Sequence, residues 1–298
     1  MAFIYDKTMD RRRFIRTMGT AFGAVSVVTM FPQFLRGEPR PSVRLALLSD
    51  THIPADLNES YRGFYPYRNL EKIAPMVAGS APDGVVISGD LARLEGKPGD
   101  YQNLKSLLEP VASKAPVYLG MGNHDNRENF IEAFTSRDGN EQDVKGKHVV
   151  VFQSPQVRFI LLDSLLYVNR VAGLLGKAQR TWLEFYLRAA DQTPTVLFVH
   201  HTLGDGDGDL LDVDRLFNII KPYSQVKAII YGHSHQYNIS RRQHVQLINI
   251  PAVGYNFRDE EPVGWVEAGF GKSGVSLLLY AVEGNTTNDG QVTQVEWL

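Results

Sequence analysis

A chain of 298 residues with 43% apolar and 21% charged content is ordinary globular material, long enough for one substantial domain. Its formal charge of −2 gives no sign of the basic face that nucleic-acid binders present. The absence of cysteine excludes disulfides, thiolate metal sites, iron–sulfur clusters and thiol nucleophiles together. Charge is spread unevenly. Residues 1–41 carry seven Lys/Arg against three Asp/Glu, whereas residues 42–298 carry 24 against 30. The basic head is a separate object from the mildly acidic body.

In that head, Asp10-Arg11-Arg12-Arg13-Phe14-Ile15-Arg16 precedes a mostly apolar run from Thr17 to Leu35. A basic segment before an apolar one is the layout of a secretory signal. Arg11, Arg12, Phe14, Ile15 and Arg16 resemble the twin-arginine pattern, and Gly19 and Gly23 give the modest hydrophobicity such signals carry. The resemblance implies handling by the twin-arginine export machinery and a periplasmic location. No A-x-A-like cleavage site follows, and about 19 apolar residues come near the length that spans a bilayer. An uncleaved inner-membrane anchor is the other destination. Gly37, Pro39 and Pro41 mark a linker, so the domain is expected over 42–298.

From Val43 onward, short apolar runs alternate with helix-like stretches. Val43–Leu48, Val85–Ser88, Pro116–Leu119, Thr195–Val199 and Ala228–Tyr231 have the near-continuous Val/Ile/Leu content of strands covered on both faces. Asn69–Ala78 places Leu70, Ile73, Ala74 and Val77 on one helical face, and Asp100–Leu108 and Gln179–Ala190 behave alike. The tail reads as successive strands: Val245–Ile250, Val253–Phe257, Gly264–Phe270, Gly274–Val282 and Gln291–Trp297. Such alternation predicts an α/β fold with layered sheets and a β-rich C-terminal part.

Each of the first five strands ends in metal-ligand residue types. These are Asp50-Thr51-His52, Gly89-Asp90, Gly122-Asn123-His124-Asp125, His200-His201 and Gly232-His233-Ser234-His235. Loops beyond the carboxyl ends of strands in open α/β sheets converge on one site. The glycines before Asp90, Asn123 and His233 are expected to take positive φ and let the chain turn sharply. One such block alone is usually a turn. Five in a fixed order, each at a strand end, are a constellation.

In that order the blocks resemble the signature of the calcineurin-like metallophosphoesterases, nearest the class III cyclic-nucleotide and glycerophosphodiester phosphodiesterases. The resemblance implies a four-layer α-β-β-α sandwich and a phosphoester hydrolase, most simply a phosphodiesterase, with a phosphomonoesterase or a non-catalytic module as alternatives. It further implies two divalent or transition metal ions (Fe, Mn, Zn or Co). One would be held by Asp50, His52, Asp90 and His235, the other by Asp90, Asn123, His200 and His233, with a bridging hydroxide as nucleophile. Imidazole with carboxylate suits first-row transition metals and zinc rather than calcium. His124 fits the proton donor to the leaving group, with Asp125 orienting its imidazole. Spacing leaves His200 and His201 open as ligand, and the family pattern favours His200, with His201 in the substrate wall.

Other residues carry weaker signals. Asn126 and Arg127 stand where they could reach a substrate phosphate. Tyr255 and Phe257 could line a substrate pocket, with core packing the favoured reading, and His148 and His244 lack metal spacing. Asp205, Asp207 and Asp209 imitate a calcium loop, but Leu210 and Leu216 occupy positions that need Gly and Glu. Arg93 stands where purple acid phosphatases carry a tyrosine ligand, which disfavours that branch. The substrate is expected to be a small-molecule or lipid-derived phosphoester, and no motif decides between monomer and homodimer. Because lysine cannot reproduce a guanidinium fork, Arg11→Lys with Arg12→Lys is expected to strand active enzyme in the cytoplasm. Unchanged export on cell fractionation would reassign the head to a general secretory signal.

Overall fold

The computed structural model describes residues 43–134 and 140–298, so the export-signal expectation lies outside the described residues. Among the described residues, thirteen strands form two sheets. In the first, β1 (Val43–Leu48), β2 (Gly84–Ile87) and β3 (Val117–Leu119) are parallel neighbours. The antiparallel β11 (Pro262–Phe270), β12 (Gly274–Gly284) and β13 (Val292–Glu296) extend it in the order β13-β12-β11-β1-β2-β3.

The second sheet runs β4-β5-β6-β7-β8-β10-β9. Its middle is parallel: β6 (Arg158–Leu161), β7 (Thr195–Phe198), β8 (Val226–Tyr231) and β10 (Val245–Asn249). The edges are antiparallel: β4 (Glu141–Val144) and β5 (Lys147–Gln153) on one side, β9 (Asn238–Arg242) on the other. Helices α1 (Pro66–Ser80), α2 (Pro98–Ala112) and α3 (Arg127–Ala133) belong to the first half of the chain, α4 (Gly176–Ala189) and α5 (Val213–Ile220) to the second.

Three apolar cores separate four layers, and the period of two along each strand explains them. On β1, Ala46 and Leu48 join Leu70, Ile73 and Val77 of α1 and Leu104 of α2. Leu45 and Leu47 on the opposite face meet Phe159, Phe198 and Ile230 of the other sheet. On β7, Leu197 turns outward to Leu183 of α4 and Phe217 of α5. A strand buried on both faces has no polar side to show, which is why these segments are unbroken apolar runs.

The architecture is thus the expected α-β-β-α sandwich. One expected element is absent: Val253–Phe257 is not a strand. Val253 and Gly254 instead donate to the carbonyls of Ser49 and Asp50 at 2.9 Å, which bends the segment across the end of β1. The short or polar strands β4, β5, β6 and β9 and the helices α3 and α5 had no counterpart in the sequence reading.

Phe159 anchors the sheet–sheet core. Fully buried, it stacks on Phe152 with centroids 4.8 Å apart and meets Phe270 of the first sheet edge-on at 5.0 Å. Phe159→Ala is expected to lower unfolding free energy by about 3–5 kcal/mol, measured by denaturant titration. A loss below about 1 kcal/mol would show that the sheets close over the gap.

Candidate metal centre

Residues at the carboxyl ends of β1, β2, β3, β7 and β8 converge on one cleft. The first sheet supplies Asp50, His52, Asp90 and Asn123, and the second supplies His200, His233 and His235. Strand pairing continues into the loops: Asp50 and His52 donate to the carbonyls of Gly89 and Asp90 at 3.0 Å. Across the second sheet, Gly232 donates to His200 at the same distance. Each loop is therefore registered against its neighbour before any ion is involved.

The backbone is bent to aim these side chains. Asp50, His52, Asp90, His233 and His235 all have left-handed φ, between 47° and 69°. Non-glycine residues rarely adopt this region, and such strain gathers at functional sites. Expected positive φ at the preceding glycines holds for Gly89 (φ 147°) alone. Gly122 and Gly232 are required for room instead. A Cβ on Gly122 would fall on Asp90 Oδ1 and lie 2.6 Å from His200 Nε2, and one on Gly232 would fall on Ser49 Oγ and Asp50 Oδ2.

Three groups of side chains have ligand atoms close enough to share an ion: Asp50 with His52 and His235, His52 with Asp90 and His124, and Asp90 with His200 and His233. Hydrogen bonds fix the tautomers. His235 Nδ1 lies 2.6 Å from the Tyr255 carbonyl and His52 Nδ1 3.3 Å from that of Arg93. A carbonyl only accepts, so both Nδ1 atoms carry hydrogen and both Nε2 atoms present lone pairs. Those two Nε2 atoms are 3.1 Å apart. Two lone pairs facing each other in a buried site call for a cation between them. His233 uses Nε2 on the Gly208 carbonyl at 3.1 Å, which frees Nδ1 as its donor atom.

The remaining orphans agree. Among the described residues, buried Asn123 Oδ1 and both ring nitrogens of His200 have no hydrogen-bond partner. Buried polar atoms without partners are costly and rare, and an amide oxygen and an imidazole nitrogen are natural ligand atoms. His200 Nε2 stands 3.4 Å from Asp90 Oδ2 and 3.8 Å from Asp50 Oδ1. Burial opposes its protonation, but the Asp90 and then the Asp50 carboxylate prevail and lift its pKa to about 9. Burial, with His200 next to it, pushes His233 down to about 4, and burial holds His52 near 3. Burial opposes ionisation of both carboxylates, yet both are held low, Asp50 by His235 and His200 where those rings carry a proton and Asp90 by His200. This donor set fits transition metals.

Several sequence expectations are corrected. Asp125 does not touch the His124 imidazole, whose Nδ1 lies 3.0 Å from the Leu94 carbonyl. Its buried carboxylate accepts instead from Leu91 N, Ala92 N, Gly122 N and the Tyr101 hydroxyl at 2.9–3.2 Å, bracing the loops behind Asp90 and Asn123. Burial and then Asp90 raise its pKa to about 6. Asn126 caps α3, accepting from Glu128 N and Asn129 N, so its oxygen is spent locally. Arg127 clasps buried Asp163 through Nε and Nη2 at 2.8–3.0 Å and is committed there rather than to a phosphate. His201 is fully buried and absent from the lining of the cleft, with Nδ1 2.7 Å from Ser164 Oγ. Its ring backs that of His233 at 4.7 Å.

Sequence reading missed Asp163 and Ser164, which carry no motif. It also sent Tyr255 and Phe257 to the core. Tyr255 stacks on His52 with centroids 4.7 Å apart, Phe257 stacks on His235 at 4.3 Å, and both line the cleft of about 370 Å³. Arg93 is not a ligand: its carbonyl faces His52 and its guanidinium pairs with Glu59 at 2.8 Å.

Because Gly122 backs onto both Asp90 and His200, Gly122→Ala is expected to lower bound metal below the wild-type content without loss of secondary structure. Elemental analysis beside circular dichroism checks this. Wild-type metal content in the variant would show that the loop gives way.

Comparison with known proteins agrees with the geometry. A family model described as calcineurin-like phosphoesterase matches residues 43–237. The chain is 30% identical to the 3′,5′-cyclic adenosine monophosphate phosphodiesterase CpdA of Pseudomonas aeruginosa over 72% of this chain and 78% of that one. It is 27% identical to the glycerophosphodiester phosphodiesterase GpdQ of Enterobacter lignolyticus over 73% and 81%. Among solved structures, a dimetal phosphatase from Danio rerio superposes with a TM-score of 0.67 at 14% identity, covering 87% of this chain and all of that one. With the family match spanning most of the body and every strand-end block in place, the chain belongs to the calcineurin-like phosphoesterase family.

Proposed function

We propose that the cleft is the active site of a phosphodiesterase that works with two metal ions held side by side. The observation that carries this reading is the position of Asp90. Its carboxylate belongs to two of the three ligand groups, with Oδ2 3.8 Å from His52 Nε2 and 3.4 Å from His200 Nε2. Asp50, His52, Asp90 and His235 would hold one ion, and Asp90, Asn123, His200 and His233 the other. Two dications repel strongly at short range, and a shared carboxylate offsets that repulsion. Bound in this way, the ions supply an activated water at neutral pH and positive charge against the phosphoryl oxygens.

The chain's own residues supply the rest. A diester expels an alkoxide, a poor leaving group unless it is protonated as the bond breaks. His124 is placed for this. Its backbone N–H donates to Asp90 Oδ1 at 2.8 Å, and the Leu94 carbonyl holds Nδ1. Nε2 is thereby left facing the cleft, 3.9 Å from Asp90 Oδ2, as the atom from which the imidazolium form of His124 would give up its proton. Relatives named as phosphodiesterases favour a diester over a monoester substrate. The resemblance of the head to a twin-arginine signal supports work outside the cytoplasm.

Metal-loaded protein is expected to cleave a p-nitrophenyl phosphodiester faster than p-nitrophenyl phosphate. His124→Ala is expected to retain its metals and lose roughly 10²–10⁴-fold in turnover of alkyl esters, with a much smaller loss when nitrophenol leaves. Equal losses for both leaving groups would assign His124 to charge stabilisation instead.

A further inference from the structure

Large apolar side chains exposed to solvent are concentrated around this cleft. Phe257 (45% exposed) and Val171 (57%) line it directly. Tyr61, also exposed, meets Tyr255 edge-on at 4.8 Å, and Arg62 on the same loop donates to the Phe257 carbonyl at 2.9 Å. Exposed Leu94 follows Arg93 and carries the carbonyl that holds His124. Tyr167 (68%) and Val168 precede Asn169, whose N–H donates to the backbone carbonyl of Asn123. Exposed Leu211 donates to Gly173, two residues beyond Val171. Phe257 and Val171 thus border the polar centre directly, and further exposed apolar residues stand on the loops whose backbone is tied to it.

Scattered apolar residues on a surface need no explanation, but a group of them around one concave site does. A second copy or a protein partner seated on this collar would cap the metal centre and shut out the phosphoester. The occupant compatible with turnover is the substrate. We infer that the collar receives the alkyl chain of an amphiphilic phosphoester, whose phosphoryl group lies at the metals while its chain runs out along Phe257 and Val171. This rests on the phosphodiesterase reading and narrows its substrate class.

The metal-loaded full chain would be assayed with methyl and decyl p-nitrophenyl phosphate, both below the critical micelle concentration. Burying two methylenes is worth about tenfold, so kcat/KM for the decyl ester is expected to exceed that for the methyl ester by at least about tenfold. That ratio should fall toward one in the Val171→Ser variant, and an undiminished ratio there overturns the assignment of Val171 to the chain's path. A wild-type ratio near one overturns the inference, even if the protein floats with phosphatidylglycerol vesicles, since the collar would then grip a membrane and not a chain. If neither ester is cleaved, the phosphodiesterase reading fails, and calorimetric titration still decides the collar. Decylphosphonate should bind at least about tenfold tighter than methylphosphonate, and equal affinities overturn the inference.

Discussion

Two ionised carboxylates, Asp50 and Asp90, sit fully buried among imidazoles at the place where the two sheets meet. Charge removed from water is expensive unless it is met by opposite charge at close range. Much of the surrounding structure answers this demand. His200 is held toward its charged form by both carboxylates, the backbone N–H groups of His124 and His233 point at them, and His52 and His235 turn Nε2 inward. Left-handed backbone at five of the ligand positions is the geometric cost of aiming so many groups at one point.

A second tier of residues holds that arrangement still. The Asp125 carboxylate gathers three backbone N–H groups and a tyrosine hydroxyl, so the loops after β2 and β3 move as one piece. Asp163 does similar work behind the second sheet, accepting from His148 N, Leu165 N and Arg127. Neither carboxylate needs to touch substrate to matter. Each fixes the loops on which the cleft residues ride, as preorganised sites require.

The body was legible in sequence where physics leaves a periodic trace. β1, β2, β7 and β8 are buried on both faces, and their apolar runs are unmistakable. The candidate ligands were legible because they cluster at the ends of those runs. What escaped notice had no such trace. β4, with three of its four residues partly or fully exposed, is a polar edge strand, and β6 is four residues long. Asp163 has no motif because His148 and Arg127, which it joins, lie 15 and 36 residues away. Tyr255 and Phe257 read as core for a simple reason: an aromatic ring on a cleft wall and one in the interior are the same letter. Asp125, placed next to His124 in sequence, is separated from its imidazole by the turn that makes the site.

The division of the ligand set between the sheets has a mechanical consequence. Asp50, His52, Asp90 and Asn123 descend from one sheet, and His200, His233 and His235 from the other. At this border the layers are also joined by hydrogen bonds, from His233 N to the Asp50 carboxylate and between His148 Nε2 and the Leu119 carbonyl. An ion coordinated from both sides acts as a rivet through the two sheets and opposes shear between them. Binding to the folded form alone adds about 4 kcal/mol to stability at a free metal concentration 1,000 times the dissociation constant. The protein would thus be a looser sandwich before it meets its metals than after, with the slack located where the chemistry is done.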